Sequence, residues 1–297
     1  MNKATAQRAR LKSLGRQAHL VLAHGRPEVV VTTPGTVEDD LLGTAVCRAL
    51  RERGQRGIWV TTDHPDLFRA SPDVDGAVPR TDDAMSAARR CGASVLSLDP
   101  RAPSADEEHV LVLLCRQAGL TGVVRPRPTV YLRPDDLEGA SPEERRIAVC
   151  CAAPGERSSE ATHAISAAAA LLGHGFDLLQ IGDVDGPVIP GARDCRGRLS
   201  PRQAAAALAR CSALLGVAGL WMHLARAVEC PAVIVHGAGD ADPRTSYPCN
   251  AQVEVGARAV PDPVTVAAAV RRLAARPRQP LEVAAFELPG AAVPVAA

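Results

Sequence analysis

Short β-branched runs alternate along this chain with Ala-, Leu- and Arg-rich stretches of helical spacing. That alternation predicts parallel sheets whose strands are joined by helical crossovers. In the first half the runs at 28–32, 57–61 and 94–98 read as strands. Between the first two, 39–53 carries Leu42, Val46, Ala49 and Leu50 on one helical stripe closed by Gly54, and a second helix at 107–118 ends at Gly119. Residues 1–27 place Arg and Lys at helical spacing ahead of Leu20, Val21 and Leu22, which predicts a helix before the first strand.

Residues 121–144 are rich in Pro, Arg and Asp around a short apolar run at 129–132, the composition of an interdomain connection. A second series then begins, with strands at 146–151, 176–181, 213–217 and 232–236 and helices at 159–172, 201–210, 220–229 and 262–275. Each strand ends in Gly, Asp or Pro, where ligand-binding loops form at the carboxyl ends of parallel strands. The expected fold class is α/β: an N-terminal helical extension (1–27), a first Rossmann-like domain (28–140), a second (141–284) and a loose tail (285–297), the two domains facing across a cleft.

A chain of 297 residues, 46% apolar and 23% charged, has the length for two cores and the composition of a globular protein. Net charge is +1 and Arg is interleaved with Asp and Glu throughout, which argues against a nucleic-acid partner and for small ligands. The nine cysteines are scattered, mostly inside apolar runs, and no pair has C-x-x-C spacing, so reduced core thiols are expected and a metal site is not. No apolar run approaches the ~20 residues of a membrane span, so no transmembrane segment is expected and a cytoplasmic location is.

Candidate chemistry begins at 34–50, PGTVEDDLLGTAVCRAL, which follows a strand and opens a helix. An acidic residue there has two available roles. It can cap the helix N-terminus, or it can act as a general base that takes a proton from an incoming hydroxyl; spacing alone favours capping. The run resembles the glycine-loop motif of the ADP-heptose:lipopolysaccharide heptosyltransferase family, G-x-[IL]-G-D-x-L-x-T-P. The resemblance implies Asp39 as the catalytic Asp, with Glu38, Asp40 and Thr44 on the acceptor side. Glu38 stands where the family usually has Gly, Ala45 stands where Pro is usual, and Glu38 and Asp40 are rival bases. The segment IWVTTDHPDLFRASPDVD is similar to the family's second strand and its following turn, and HVLVLLCRQAGL with RPRPTVYLRPDDL to its helix and linker.

In the second half, IPGARDCRGRLS and GVAGLWMHLA resemble the family's D-x-x-G-x-x-S and G-x-D-[ST]-G-x-x-H-L-A elements. A strand, a glycine turn and a helix N-terminus suit a diphosphate, because unpaired backbone N–H groups point at it. The donor-binding set implied here is Gly219, Trp221, Met222 and His223; a core-packed imidazole is the plain alternative for His223, and helix packing is that for Trp221. Ala218 stands where the family usually has Asp and Leu220 where it has Gly. VHGAGDADPRTSYP resembles a further family loop and adds Asp242, Arg244 and Thr245, otherwise simple turn formers. Arg157 is the candidate cation for the diphosphate, and Gly182 and Asp183 end the next strand, facing the nucleotide.

The resemblance covers about residues 28–255 and implies a GT-B fold. It implies metal-independent, inverting transfer of a heptose or related sugar from an ADP-sugar to a hydroxyl or amine of a small-molecule or glycolipid acceptor, with no cofactor besides that co-substrate, in a specialised-metabolite pathway as readily as in lipopolysaccharide assembly. A catalytically silent binding or scaffold protein is the alternative. A nucleotide-sugar epimerase shares the two-lobed plan, but its acid/base set cannot be assembled from these motifs.

Overall fold

The computed structural model describes residues 3–104, 108–137, 145–151, 159–237, 239–255, 262–276 and 280–288. The chain forms two compact units. Met1–Ser104, Leu111–Pro126 and Ala285–Ala297 make the first, and Ala105–Val110 and Arg127–Ala284 the second.

In the first unit, α1 (Lys3–His24) precedes β1 (Val29–Thr32), α2 (Val37–Glu52), β2 (Ile58–Thr61), β3 (Gly76–Val78), α3 (Asp82–Cys91) and β4 (Ser94–Ser97); α4 (Val110–Gln117) and β5 (Gly122–Val124) follow. The sheet runs β3-β2-β1-β4 and every pair is parallel. Val29 to Val31 and Ile58 to Val60 are all buried, as strands covered on both faces must be. Helix α1 docks rather than dangles. Its Leu20 and Val21 pack on a cluster of Val30, Trp59, Val78, Ala84, Ala87 and Ala88, and its Ser13, Arg16 and Gln17 hold Asp83 of α3. Gly76 permits this approach, since a Cβ there would sit 2.7 Å from that of His24.

In the second unit, β6 (Arg146–Val149), α5 (Ser159–Leu172), β7 (Asp177–Gln180), β8 (Arg193–Asp194), α6 (Pro201–Leu208), β9 (Ala213–Gly216), α7 (Leu220–Ala227), β10 (Ala232–Gly237), β11 (Ala251–Val255) and α8 (Pro263–Ala274) follow in order. The sheet reads β11-β10-β9-β6-β7-β8, again all parallel. Taken from the β8 edge, this is the doubly wound order third, second, first, fourth, fifth, sixth. The Ala-rich faces of α5 and α8 close its core with Ile147, Val149, Leu215, Val233 and Val235.

Strand order reverses between β1 and β4 in the first unit and between β6 and β9 in the second. At such points neighbouring loops leave in opposite directions and open a crevice at the strands' carboxyl ends.

The helices and strands read from the periodicity lie where it predicts them, but the helix Asp82–Cys91 and the strand Ala251–Val255 stand outside that reading. The C-terminal segment departs from it: β12 (Phe286–Leu288) pairs antiparallel with β5, Phe286 opposite Val124, so 286–288 is a strand of the first unit rather than a loose tail. Three residues with a distant partner carry no local signal of that pairing. The run at 129–132 forms no strand. All nine cysteines are free, and burial raises the thiols of Cys47 and Cys115, the latter to about 12. Among the described residues no helix is long and apolar enough to cross a membrane.

Candidate active site

At the carboxyl edge of the first sheet, the loops after three strands bring a buried charge cluster together on α2. Its centre is Asp40, in the first turn of α2 and 0% exposed. Oδ1 accepts from the Thr33 hydroxyl at 2.5 Å and from Arg80 Nη2 at 2.6 Å; Oδ2 accepts from the Thr62 hydroxyl at 2.6 Å and faces His64 Nδ1 at 3.0 Å. Thr33 follows β1, Thr62 and His64 follow β2, and Arg80 follows β3, so the sheet's own order assembles the group. Arg80 also donates to the Thr33 carbonyl at 2.5 Å and lies 3.3 Å from Asp63. The four donors occupy the lone-pair positions of the Asp40 carboxylate.

Asp39 is bound differently. It and Thr36 form a reciprocal capping box: the Thr36 hydroxyl accepts from Asp39 N and Asp39 Oδ2 accepts from Thr36 N, both at 3.1 Å. The capping role is therefore in place. Arg101, from the loop after β4, reaches across the strand-order reversal to Asp39 Oδ1 at 3.0 Å; the Asp39 side chain is 2% exposed and that of Arg101 62%. Glu38 is half-buried, and the buried Thr44 hydroxyl donates back to the Leu41 carbonyl at 2.6 Å, so it is spent within the helix. The D-x-L-x-T spacing also corrects the register assigned to this motif: the four-residue step to Thr44 starts from Asp40, with Leu42 between, and not from Asp39.

Beside this cluster, the loop that carries Arg80 walls a cavity of about 550 Å³ through Pro79 and Thr81; Lys12, Arg16, His19 and Leu20 of α1 line its other side.

At the carboxyl edge of the second sheet, Gly219 caps α7 in a backbone conformation of φ 125° and ψ −158°, with no side chain to bond the first-turn N–H groups. This contrasts with α2, whose N-terminus is closed by its own Thr36 and Asp39. Ala218 is exposed and Gly219, Leu220 and Trp221 are half-exposed, so the α7 N-terminus is accessible. Gly182 (φ 131°) and the exposed Asp183 follow β7. Beyond β10, Asp242 folds its loop by accepting from Arg244 N at 2.8 Å; Asp242 is exposed, Arg244 and Thr245 half-buried. Arg157 lies outside the described residues. Among the described residues no group of three His, Cys, Asp or Glu side chains is placed to hold a metal ion.

Two residues of the donor set are buried. His223 is 0% exposed and Met222 1%, because positions three and four of α7 turn into the unit while positions one and two face out. The His223 ring meets the Tyr247 hydroxyl at 2.7 Å from Nδ1, and Tyr247 contacts the rings of both His223 and His109. Burial first, then the neighbouring His223, push His109 down to about 4. This burial fits the core-packed alternative for His223, whose ring packs against Tyr247.

Sequence reasoning passed over His64, Arg80, Arg101 and Tyr247. The usable signal for the first three is positional, since each stands within a few residues of a strand's carboxyl end; Tyr247 lies in the Tyr-Pro ending of the family-like loop, which gives it no role.

No family model matches the chain, and no curated protein matches it by sequence. Solved structures do share its fold. A glycosyl transferase family 9 structure from Veillonella parvula DSM 2008 superposes with a TM-score of 0.64 at 15% identity, covering 83% of this chain and 97% of that one. The E. coli ADP-heptose LPS heptosyltransferase II gives 0.59 at 17% identity, covering 83% and 98%. The E. coli heptosyltransferase WaaC with ADP gives 0.54 at 13% identity, covering 82% and 99%. The chain thus has the heptosyltransferase-like GT-B fold, two parallel α/β units in one polypeptide.

Proposed function

We propose that this protein is a glycosyltransferase that moves a heptose or related sugar from an ADP-sugar to a hydroxyl or amine acceptor. The reaction is read as inverting and metal-independent, with no cofactor beyond the donor. The observation that carries the reading is the uncapped, accessible N-terminus of α7 at the strand-order reversal of the second sheet. First-turn N–H groups and the helix dipole favour a diphosphate there, and most of all the charge that grows on it as the sugar departs. Arg157 and Arg244 are the cations proposed to hold it, with Gly182, Asp183, Trp221, Asp242 and Thr245 around the nucleotide and sugar. The solved heptosyltransferases of this fold, one named with ADP, support an adenine nucleotide.

In this reading the first unit supplies the acceptor side. The acceptor's proton goes to the cluster at the carboxyl edge of its sheet, where two groups can receive it: Asp39, when the largely exposed Arg101 releases its carboxylate, and His64. The acceptor oxygen or nitrogen forms the new bond to the anomeric carbon as the bond to the diphosphate breaks, and the nucleotide leaves with the electron pair. The cavity beside Arg80, lined by Lys12 and by the paired Arg16 and Asp83, has room for a small soluble acceptor.

A thermal-shift panel of ADP-, GDP-, UDP- and dTDP-sugars tests the donor assignment. Ligand at ~100 times its Kd stabilises the folded state by about 2.7 kcal/mol, a readily measured rise. A rise with ADP-sugars alone is expected. No rise with any nucleotide sugar would favour the silent binding-protein reading, toward which Ala218 and the enclosed His223 also point.

A further inference from the structure

We propose that the general base is His64, acting from its Nε2, with Asp40 as the positioning residue behind it. The inference rests on the glycosyltransferase reading above and names the group that performs its proton transfer.

Asp40 holds the motif's Asp position yet is wholly enclosed, and its four lone-pair positions are filled by Thr33, Arg80, Thr62 and His64. It has no way to meet an acceptor hydroxyl directly. Its partner His64 does. The His64 side chain is 29% exposed, while Asp40 behind it is 0% exposed. An ionised carboxylate only accepts, so Nδ1 carries the hydrogen of the Asp40–His64 bond and Nε2 is left with its lone pair on the outer side of the ring. No Nε2 partner exists among the described residues.

The backbone holds this arrangement as well. His64 N donates to the Thr62 hydroxyl at 2.8 Å, and that hydroxyl donates on to Asp40 at 2.6 Å, so ring and main chain are tied to one carboxylate. His64 stands at the N-cap of the 3₁₀ turn Pro65–Phe68 but makes no side-chain capping bond, so the imidazole is not spent on local structure. A base, an orienting carboxylate and hydroxyls that fix the carboxylate form the arrangement that general-base catalysis requires. Asp40 from α2 is the charged group that meets the ring, and Arg80 from the loop after β3 links Asp40 to Asp63, the residue before His64.

In the step itself, the acceptor O–H or N–H gives its proton to Nε2 while its electron pair forms the bond to the anomeric carbon. The bond from that carbon to the diphosphate oxygen breaks toward the nucleotide. The imidazolium formed is stabilised by Asp40 and then returns its proton to solvent.

The test uses the full chain with ADP-heptose, water or an added alcohol as acceptor, and ADP release as readout. His64→Asn keeps an N–H donor toward Asp40 and removes the base. Its kcat should fall by ~10²–10⁴-fold with donor KM nearly unchanged, and the acid limb of the wild-type kcat profile should disappear. Wild-type kcat and pH profile in His64→Asn would overturn the dyad while leaving the transferase reading intact, and loss in Asp39→Asn instead would give the role to Asp39. Wild-type protein that neither releases ADP nor is stabilised by any nucleotide sugar overturns both. Long-range ¹H–¹⁵N correlation of labelled histidines supplies a measurement independent of turnover: neutral His64 should carry its proton on Nδ1, and the Nε2–H tautomer would refute the assignment.

Discussion

Replacing Arg80 with Met strips the Asp40 carboxylate of its closest fixed cation. The two are 2.6 Å apart, the Asp40 side chain is 0% exposed and that of Arg80 19%, so the remaining charge would stay buried. Breaking a buried pair from one side costs about 3–5 kcal/mol. Three donors, the hydroxyls of Thr33 and Thr62 and His64 Nδ1, remain on the carboxylate and place the loss near the lower end, about 3 kcal/mol. With a urea slope of about 2 kcal/mol/M, the first unit's midpoint should drop by about 1.5 M. Trp59, wholly buried in that unit, reports its unfolding once Trp221 is replaced by Phe. Adding Asp40→Asn should restore part of the loss, by about 1–2 kcal/mol, since the buried charge is then gone. A midpoint shift below ~0.3 M, or strictly additive losses, would refute the view that this ion pair is enclosed and coupled.

Gly219→Val should strain the α7 N-cap, whose φ of 125° lies in the left-handed region, and crowd the anion site. Calorimetric ADP affinity should fall at least ~10-fold, and unchanged affinity would move the diphosphate elsewhere. Because the folded protein holds His109 at about 4 while the unfolded chain binds a proton near 6.5, the unfolded state carries more protons between those values. This contribution to stability is whole above pH 6.5 and is lost toward pH 4, at up to about 1.4 kcal/mol per pH unit. His109→Gln should flatten that slope in urea titrations read from Trp221 in the second unit, and an unaltered slope would mean the imidazole is already solvated.

Much of the scaffold is legible in the sequence because its long elements bury one continuous face. Strands at Val29–Thr32 and Ala232–Gly237 and helices at Val37–Glu52 and Ser159–Leu172 follow from apolar periodicity and glycine stops alone. The short strands β3, β8 and β12 do not, since two or three residues hold no period and β12 owes its existence to a partner more than 160 positions earlier. The site divides along the same line. Capping by Asp39 is local and was foreseeable from Thr36 three residues before it. The Asp40 cluster draws on loops after three different strands, and only the sheet order makes Thr33, His64 and Arg80 neighbours. Likewise the inward turn of His223 depends on Tyr247, supplied by a distant loop.

Incubating the protein with ADP-heptose and an alcohol or amine acceptor, and following the anomeric carbon by NMR, tests the central claim most directly. The account predicts that the donor C1 signal gives way to a new glycosidic C1 of opposite anomeric configuration as ADP appears in equal amount. Intact ADP-heptose in the presence of protein that is folded and stabilised by it would contradict catalysis, and a product retaining the donor's configuration would contradict single displacement.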